Sequence, residues 1–126
     1  MLFILYIADQ KRSREFYKHL LKLNPSLDEP GMTEFTLPGG AKIGLMPEKS
    51  IARILGDGVP SPASGRGIPR CEIYLRVDNP KLHLNRALSG GARLLSPLQP
   101  RAWGDEAAYV ADPDGHVIAL ARTLPR

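Results

Sequence analysis

The chain has 126 residues, 43% of them hydrophobic and 24% charged. That length allows one domain with a real core but not two independent ones, and the composition excludes disordered, collagen-like and coiled-coil classes. The net charge of +4 invites a nucleic-acid partner. The cations are scattered, however, with "KRSR" at 11–14 the densest cluster. With no basic stripe, zinc-finger spacing or RNP-like aromatic segment, nucleic acid is not expected as a partner.

No apolar run approaches the roughly 20 residues of a membrane span, so no membrane partner is expected. The opening "MLFILYIADQ" lacks a basic n-region and reads as a first strand, not a signal peptide. The single cysteine, Cys71, allows no intramolecular disulfide and fits a cytoplasmic protein. It reads as a small buried hydrophobe at a strand start.

In chain order, a strand at 2–7 suits burial on both faces. A helix follows, capped by Asp9 or Ser13, with Phe16, Leu20 and Leu23 on one face. "NPSLDEPG" at 24–31 breaks it, and two strands at 33–37 and 41–46 are joined through "PGG". Residues 47–69 are rich in proline and glycine and read as a long connection with a short helical turn around "SIARIL". The grammar then restarts: a strand at 71–77, a helix at 79–91 with Pro80 in its first turn, and strands near "ARLLSP", "AAYVAD" and "HVIALAR".

The two halves align. An offset of 70 superposes Leu2 on Glu72 and Ile7 on Val77. An offset of 75 superposes Gly40 on Gly115, Ile43 on Ile118, Gly44 on Ala119 and Leu45 on Leu120. Each half reads β-α-β-β-β, a unit that alone would leave a sheet face uncovered. The expected organisation is a single α+β domain over 1–126: a first module at 1–48, a connecting loop at 49–69 and a second module at 70–126.

The stretches "YIADQKRSREFYKHLLKL", "CEIYLRVDNPKLHLNRALSGGARLL" and "WGDEAAYVADPDGHVIALA" resemble the vicinal oxygen chelate superfamily of glyoxalases, extradiol dioxygenases and bleomycin- and fosfomycin-resistance proteins. The resemblance implies two β-α-β-β-β modules whose curved mixed sheets enclose a cleft, commonly completed by a second subunit, hence a homodimer. In metal-dependent members each module supplies two cleft ligands, from its first and last strands. Carried over, those positions are Leu2, Gly44, Glu72 and Ala119. Only Glu72 can bind a metal, whereas a divalent ion needs several converging donors. The resemblance therefore points to a metal-free branch with no cofactor. His116, Glu34 and Glu106 are the donors left if the register is unexpected; His116 reads as a surface or turn residue, and His19 and His83 as helix-surface residues.

Some members sequester aromatic compounds without chemistry, which takes apolar and aromatic walls with a few polar groups. Candidate walls are Tyr6, Phe35, Met46, Tyr74, Trp103 and Tyr109. Glu72, pointing inward, would need Arg76 or Arg101 as a partner, and could accept a hydrogen bond from a ligand or act as a base. "DPDG" at 112–115 lacks the further acidic residues of an EF-hand and the spacing of a P-loop, and reads as a structural turn. Two functions are expected in order: a metal-free binder of a small organic molecule, of resistance or sequestration type, and a glyoxalase-type lyase or isomerase whose metal ligands lie elsewhere.

Overall fold

A computed structural model describes residues 1–125. Along the first strand, β1 (Leu2–Ile7), Leu5 and Ile7 are buried, while Phe3 at the start of the same face and Ile4 and Tyr6 on the other face are exposed. This departs from the two-sided burial expected from its apolar run, because the core covers only the Leu5 and Ile7 face; β1 is an edge strand paired only with β4 (Lys42–Pro47). Helix α1 (Gln10–Leu21) starts where the Asp9 carboxylate accepts from the Arg12 N–H at 3.0 Å. It buries Phe16, Tyr17 and Leu20 and ends at Lys22, whose φ of 54° is left-handed.

A short strand, β2 (Leu27–Glu29), pairs antiparallel with β3 (Met32–Thr36), which pairs with β4. β2 lies inside the segment read as a break. Its three side chains are all exposed, so no burial pattern marks it. After β4 the connection opens with α2 (Glu48–Leu55), a full eight-residue helix where only a turn is expected, and continues through 3-10 turns at Gly56–Gly58 and Pro62–Gly65. Ile51 docks α2 and is buried.

The second module repeats the first: β5 (Glu72–Arg76), α3 (Pro80–Ser89) capped by the Asn79 side chain on the Leu82 N–H at 3.1 Å, then β6 (Arg93–Pro100), β7 (Asp105–Ala111) and β8 (Val117–Thr123). The sheet orders are β1-β4-β3-β2 and β5-β8-β7-β6. The parallel pairs share one register: Ile4 faces Gly44 in one sheet and Tyr74 faces Ala119 in the other. These are the partners related by the two sequence offsets, so the repeat is present in the backbone as well as in the residues. Cys71 stands exposed just before β5, not buried as expected, because the strand starts one residue later.

Both modules contribute to one core, in which Ile7, Phe16 and Leu20 meet Val110, Ile118 and Leu120. The 112–115 turn fastens them together. Asp112 accepts from the buried Tyr17 hydroxyl at 2.6 Å and from the Asp114 and His116 N–H groups at 2.8 Å. Asp114 accepts from the Ala8 N–H at 2.9 Å, the Arg12 guanidinium at 2.8 Å and the Ser13 hydroxyl at 2.9 Å. His116 Nε2 lies 2.9 Å from the Tyr6 carbonyl oxygen. The turn is structural, and its charged side chains link residues about 100 apart in sequence.

Candidate functional site

Strand alternation decides which side chains face away from the helices. On the first sheet, Gly44 shares its outer face with Leu2, Ile4 and Met32. A Cβ at Gly44 would sit 3.2 Å from Ile4 Cγ1 and 3.3 Å from both Leu2 Cδ1 and Met32 Sδ. An apolar cluster thus fills the space that a ligating side chain would need. On the second sheet Ala119 is fully buried. Glu72 is exposed and has no hydrogen bond or ion pair among the described residues. The expectation that Glu72 points inward to an arginine is corrected here: Arg76 pairs with Asp105 instead, and Arg101 binds backbone carbonyls.

Among the described residues no three His, Cys, Asp or Glu side chains come together. The donor set does not fit a divalent ion, and no metal-assisted step is derived. Glu106 is engaged with Arg122, His19 Nε2 lies 3.0 Å from the Ser89 hydroxyl, and His83 Nδ1 lies 3.1 Å from the Asn79 carbonyl of its own helix.

What the outer face of the second sheet does hold is an ordered aromatic and ionic array. Asp105, at the first position of β7, is almost fully buried. It accepts from the Tyr74 hydroxyl at 2.6 Å and pairs with the Arg76 guanidinium at 2.8 Å. The Trp103 indole N–H donates to the same Tyr74 oxygen at 2.8 Å. Arg76 also donates to the Thr123 hydroxyl at 3.1 Å, and its guanidinium lies 5.3 Å from the Tyr74 ring centroid. The hydrogen bond from Tyr74, then the one from Arg76, holds the Asp105 carboxyl below the usual carboxylate range. Desolvation, then the Asp105 hydrogen bond, raises the Tyr74 phenol. Tyr74 therefore stays a neutral donor and Asp105 a charged acceptor.

Beside this array Arg101 spans the 101–104 hairpin loop. It donates to the Ala107 carbonyl at 2.8 Å and to the Ser96 hydroxyl at 2.9 Å, with its guanidinium 5.1 Å from the Tyr109 ring centroid. The loop carries Trp103 outward, leaving the residue 58% exposed although its indole N–H is fixed. Tyr74, Trp103, Tyr109 and Arg101 thus lie on one face. Ala107, Ala119 and Ala121 share it and are buried.

The other expected wall residues are elsewhere. Phe35 is fully buried in the core: it pairs with Ile43, and both turn toward the helices. Met46 is half-buried on the outer face of the first sheet. Tyr6 lines a separate cavity at the β1 edge. Asp105 and Thr123 were missed in the sequence because polar residues at strand ends carry no signal of their own. The alternation Asp105, Ala107, Tyr109 would have placed Asp105 on the same face as Tyr109.

Residues 1–125 match the sequence profile of the glyoxalase-like domain. The chain belongs to this glyoxalase-like family, within the vicinal oxygen chelate superfamily. Its fold is similar to that of a glyoxalase-related enzyme from Fulvimarina pelagi, at a TM-score of 0.82 and 22% identity, covering 97% of this chain and 86% of that one. A glyoxalase/bleomycin resistance protein/dioxygenase from Nocardioides superposes at a TM-score of 0.74 and 25% identity, covering 98% and 82%. An uncharacterized Mycobacterium bovis protein is 33% identical over 80 residues, 64% of this chain and 52% of that protein. The chain spans about half the length of the curated relatives it matches.

Proposed function

We propose that the protein binds a small aromatic molecule on the outer face of its second sheet, without a metal, as a sequestration- or resistance-type binder. One observation carries this reading: Trp103 is held by Tyr74 through its N–H while more than half its surface stays open. An indole fixed at one edge offers a stacking surface at little entropic cost, since the Tyr74–Asp105–Arg76 chain has already ordered it. Arg76 and Arg101, each beside an aromatic ring, frame that surface with positive charge. The crowded Gly44 position and the buried Ala119 support the metal-free part of the reading.

The same proposal makes the protein a cytoplasmic homodimer. β1 is an edge strand whose Phe3 is exposed outside any cavity, and an apolar side chain at a sheet edge is ordinarily covered by a partner. Its lone exposed thiol stays reduced in the cytosol.

The test begins with elemental analysis of protein purified without chelator, followed by calorimetric titration with nickel, zinc and manganese. No stoichiometric metal and no binding heat are expected. Stoichiometric metal would move the reading to a lyase or isomerase. Planar aromatic compounds are then titrated while Trp103 fluorescence is followed; quenching that saturates is expected in the wild type. Tyr74→Phe, which removes the oxygen that accepts from the indole, should weaken binding about three- to tenfold.

A further inference from the structure

A cavity lies away from Trp103, at the seam between the modules. It has a volume of about 650 Å³ and is bounded by β1, the end of the connection and the 113–116 turn. That volume is in the range of small-molecule sites. Its apolar wall includes Ile4, Tyr6 and Ile68, and Arg12, Arg66 and Arg70 are among the residues that line it.

The walls are built, not merely adjacent. The Gly65–Gly67 stretch turns with Arg66 at φ 54° and Gly67 at φ 75°. This brings the Gly67 Cα within 3.5 Å of where a Cβ on Gly115 would stand. Glycine at both positions lets the connection settle on the 112–115 turn, which is itself tied to α1 through Asp114.

The charges do not balance. Arg12 and Asp114 satisfy one another across the seam at 2.8 Å, and the remaining bonds of Asp114 go to Ala8 and Ser13. That leaves Arg66 and Arg70, neither with an ion pair or side-chain hydrogen bond among the described residues, against the single carboxylate of Glu48. Two guanidinium groups at the rim of a half-apolar cavity match an anion with an apolar body, because the guanidinium fork pairs with carboxylate and phosphate oxygens. We propose that this seam cavity is a binding site for a small organic anion, a carboxylate or phosphate head on an apolar body, separate from the aromatic face of the second sheet.

Cys71, the only cysteine, lines the same cavity and serves as the reporter. Its modification by an aromatic disulfide reagent is timed in the intact protein with added benzoate, phenyl phosphate or the neutral benzyl alcohol. Benzoate or phenyl phosphate should slow the reaction saturably, and whichever protects more identifies the preferred head group. Benzyl alcohol should not protect at the same concentration. Arg66→Gln combined with Arg70→Gln should weaken protection at least about tenfold, and Glu48→Gln should strengthen it about two- to threefold. Arg66 and Arg70 are exposed and Glu48 is half-buried with no side-chain hydrogen bond among the described residues, so a melting curve matching the wild type is expected. Protection by neither anion, equal protection by benzyl alcohol, or protection unchanged in the double variant would overturn the proposal. Benzoate and phenyl phosphate are aromatic and can also stack on Trp103, so the titrations are repeated in Trp103→Ala; because Trp103 does not line this cavity, protection of Cys71 should be unchanged there, and its loss would overturn the separation of the two sites.

Discussion

Asp112 shows how much one side chain can hold. Its two carboxylate oxygens accept three hydrogen bonds, from the buried Tyr17 hydroxyl and from two backbone N–H groups of its own turn. Asp112→Ala leaves a phenol and two amides without their acceptor, and should lower stability by about 2–4 kcal/mol in urea unfolding. Tyr17→Phe removes only one donor and should cost about 1 kcal/mol. Burial first, then Asp112, raises the Tyr17 phenol well above its ordinary value. In the unfolded chain that phenol ionises near pH 10. The stability it contributes is complete below that pH and is lost as pH rises beyond it; chemical denaturation between pH 9 and 11 should show the decline in the wild type and less of it in Tyr17→Phe. None of this was legible beforehand, since "DPDG" announces a turn but not what its carboxylates reach.

Among the elements, the helices were the most readable. Asp9 and Asn79 cap them as side chains short enough to reach a backbone N–H one turn on, and Pro80 sits at the first turn of α3. The α1 C-terminus is less favourable: Lys22 takes the left-handed conformation, with φ 54°, that glycine adopts at lower cost. Lys22→Gly should raise stability by about 0.5–1 kcal/mol, measured as a shift in denaturation midpoint at constant m-value. At Gly115 the argument runs the other way. With φ at +93°, Gly115→Ala should destabilise by about 1–2 kcal/mol, and through the contact with Gly67 it should also alter Cys71 reactivity. β2 escaped notice for want of length and burial, and α2 was read only as a short turn because its amphipathic pattern is short and sits among prolines and glycines. Strand pairing created one of them and docking of Ile51 the other.

For the whole molecule, the two sheets are joined by a shared core and by charged links across the seam, so its pH response reflects tertiary contacts. The lowered carboxyl of Asp105 adds stability that is present above the unfolded aspartate value near 4 and is lost as pH falls below it. Asp105→Asn should flatten the acid limb of the stability profile measured between pH 2.5 and 6. If the exposed edge of β1 is covered by a second copy, sedimentation will give twice the monomer mass. Placing a charge at Phe3, as in Phe3→Lys, should then shift the equilibrium toward monomer.

The sequence by itself determined the α+β class and the repeated β-α-β-β-β unit, because these depend on local periodicity and turn chemistry. Tertiary structure alone decided that Phe35 faces the core, that Glu72 stands in solvent without a partner among the described residues, and that Tyr74, Arg76, Trp103 and Asp105 meet. Such contacts are set by strand register and by the packing of one module on the other. A one-residue change of register exchanges the two faces of a strand, and nothing in the order of residues along the chain records which face a distant element will cover.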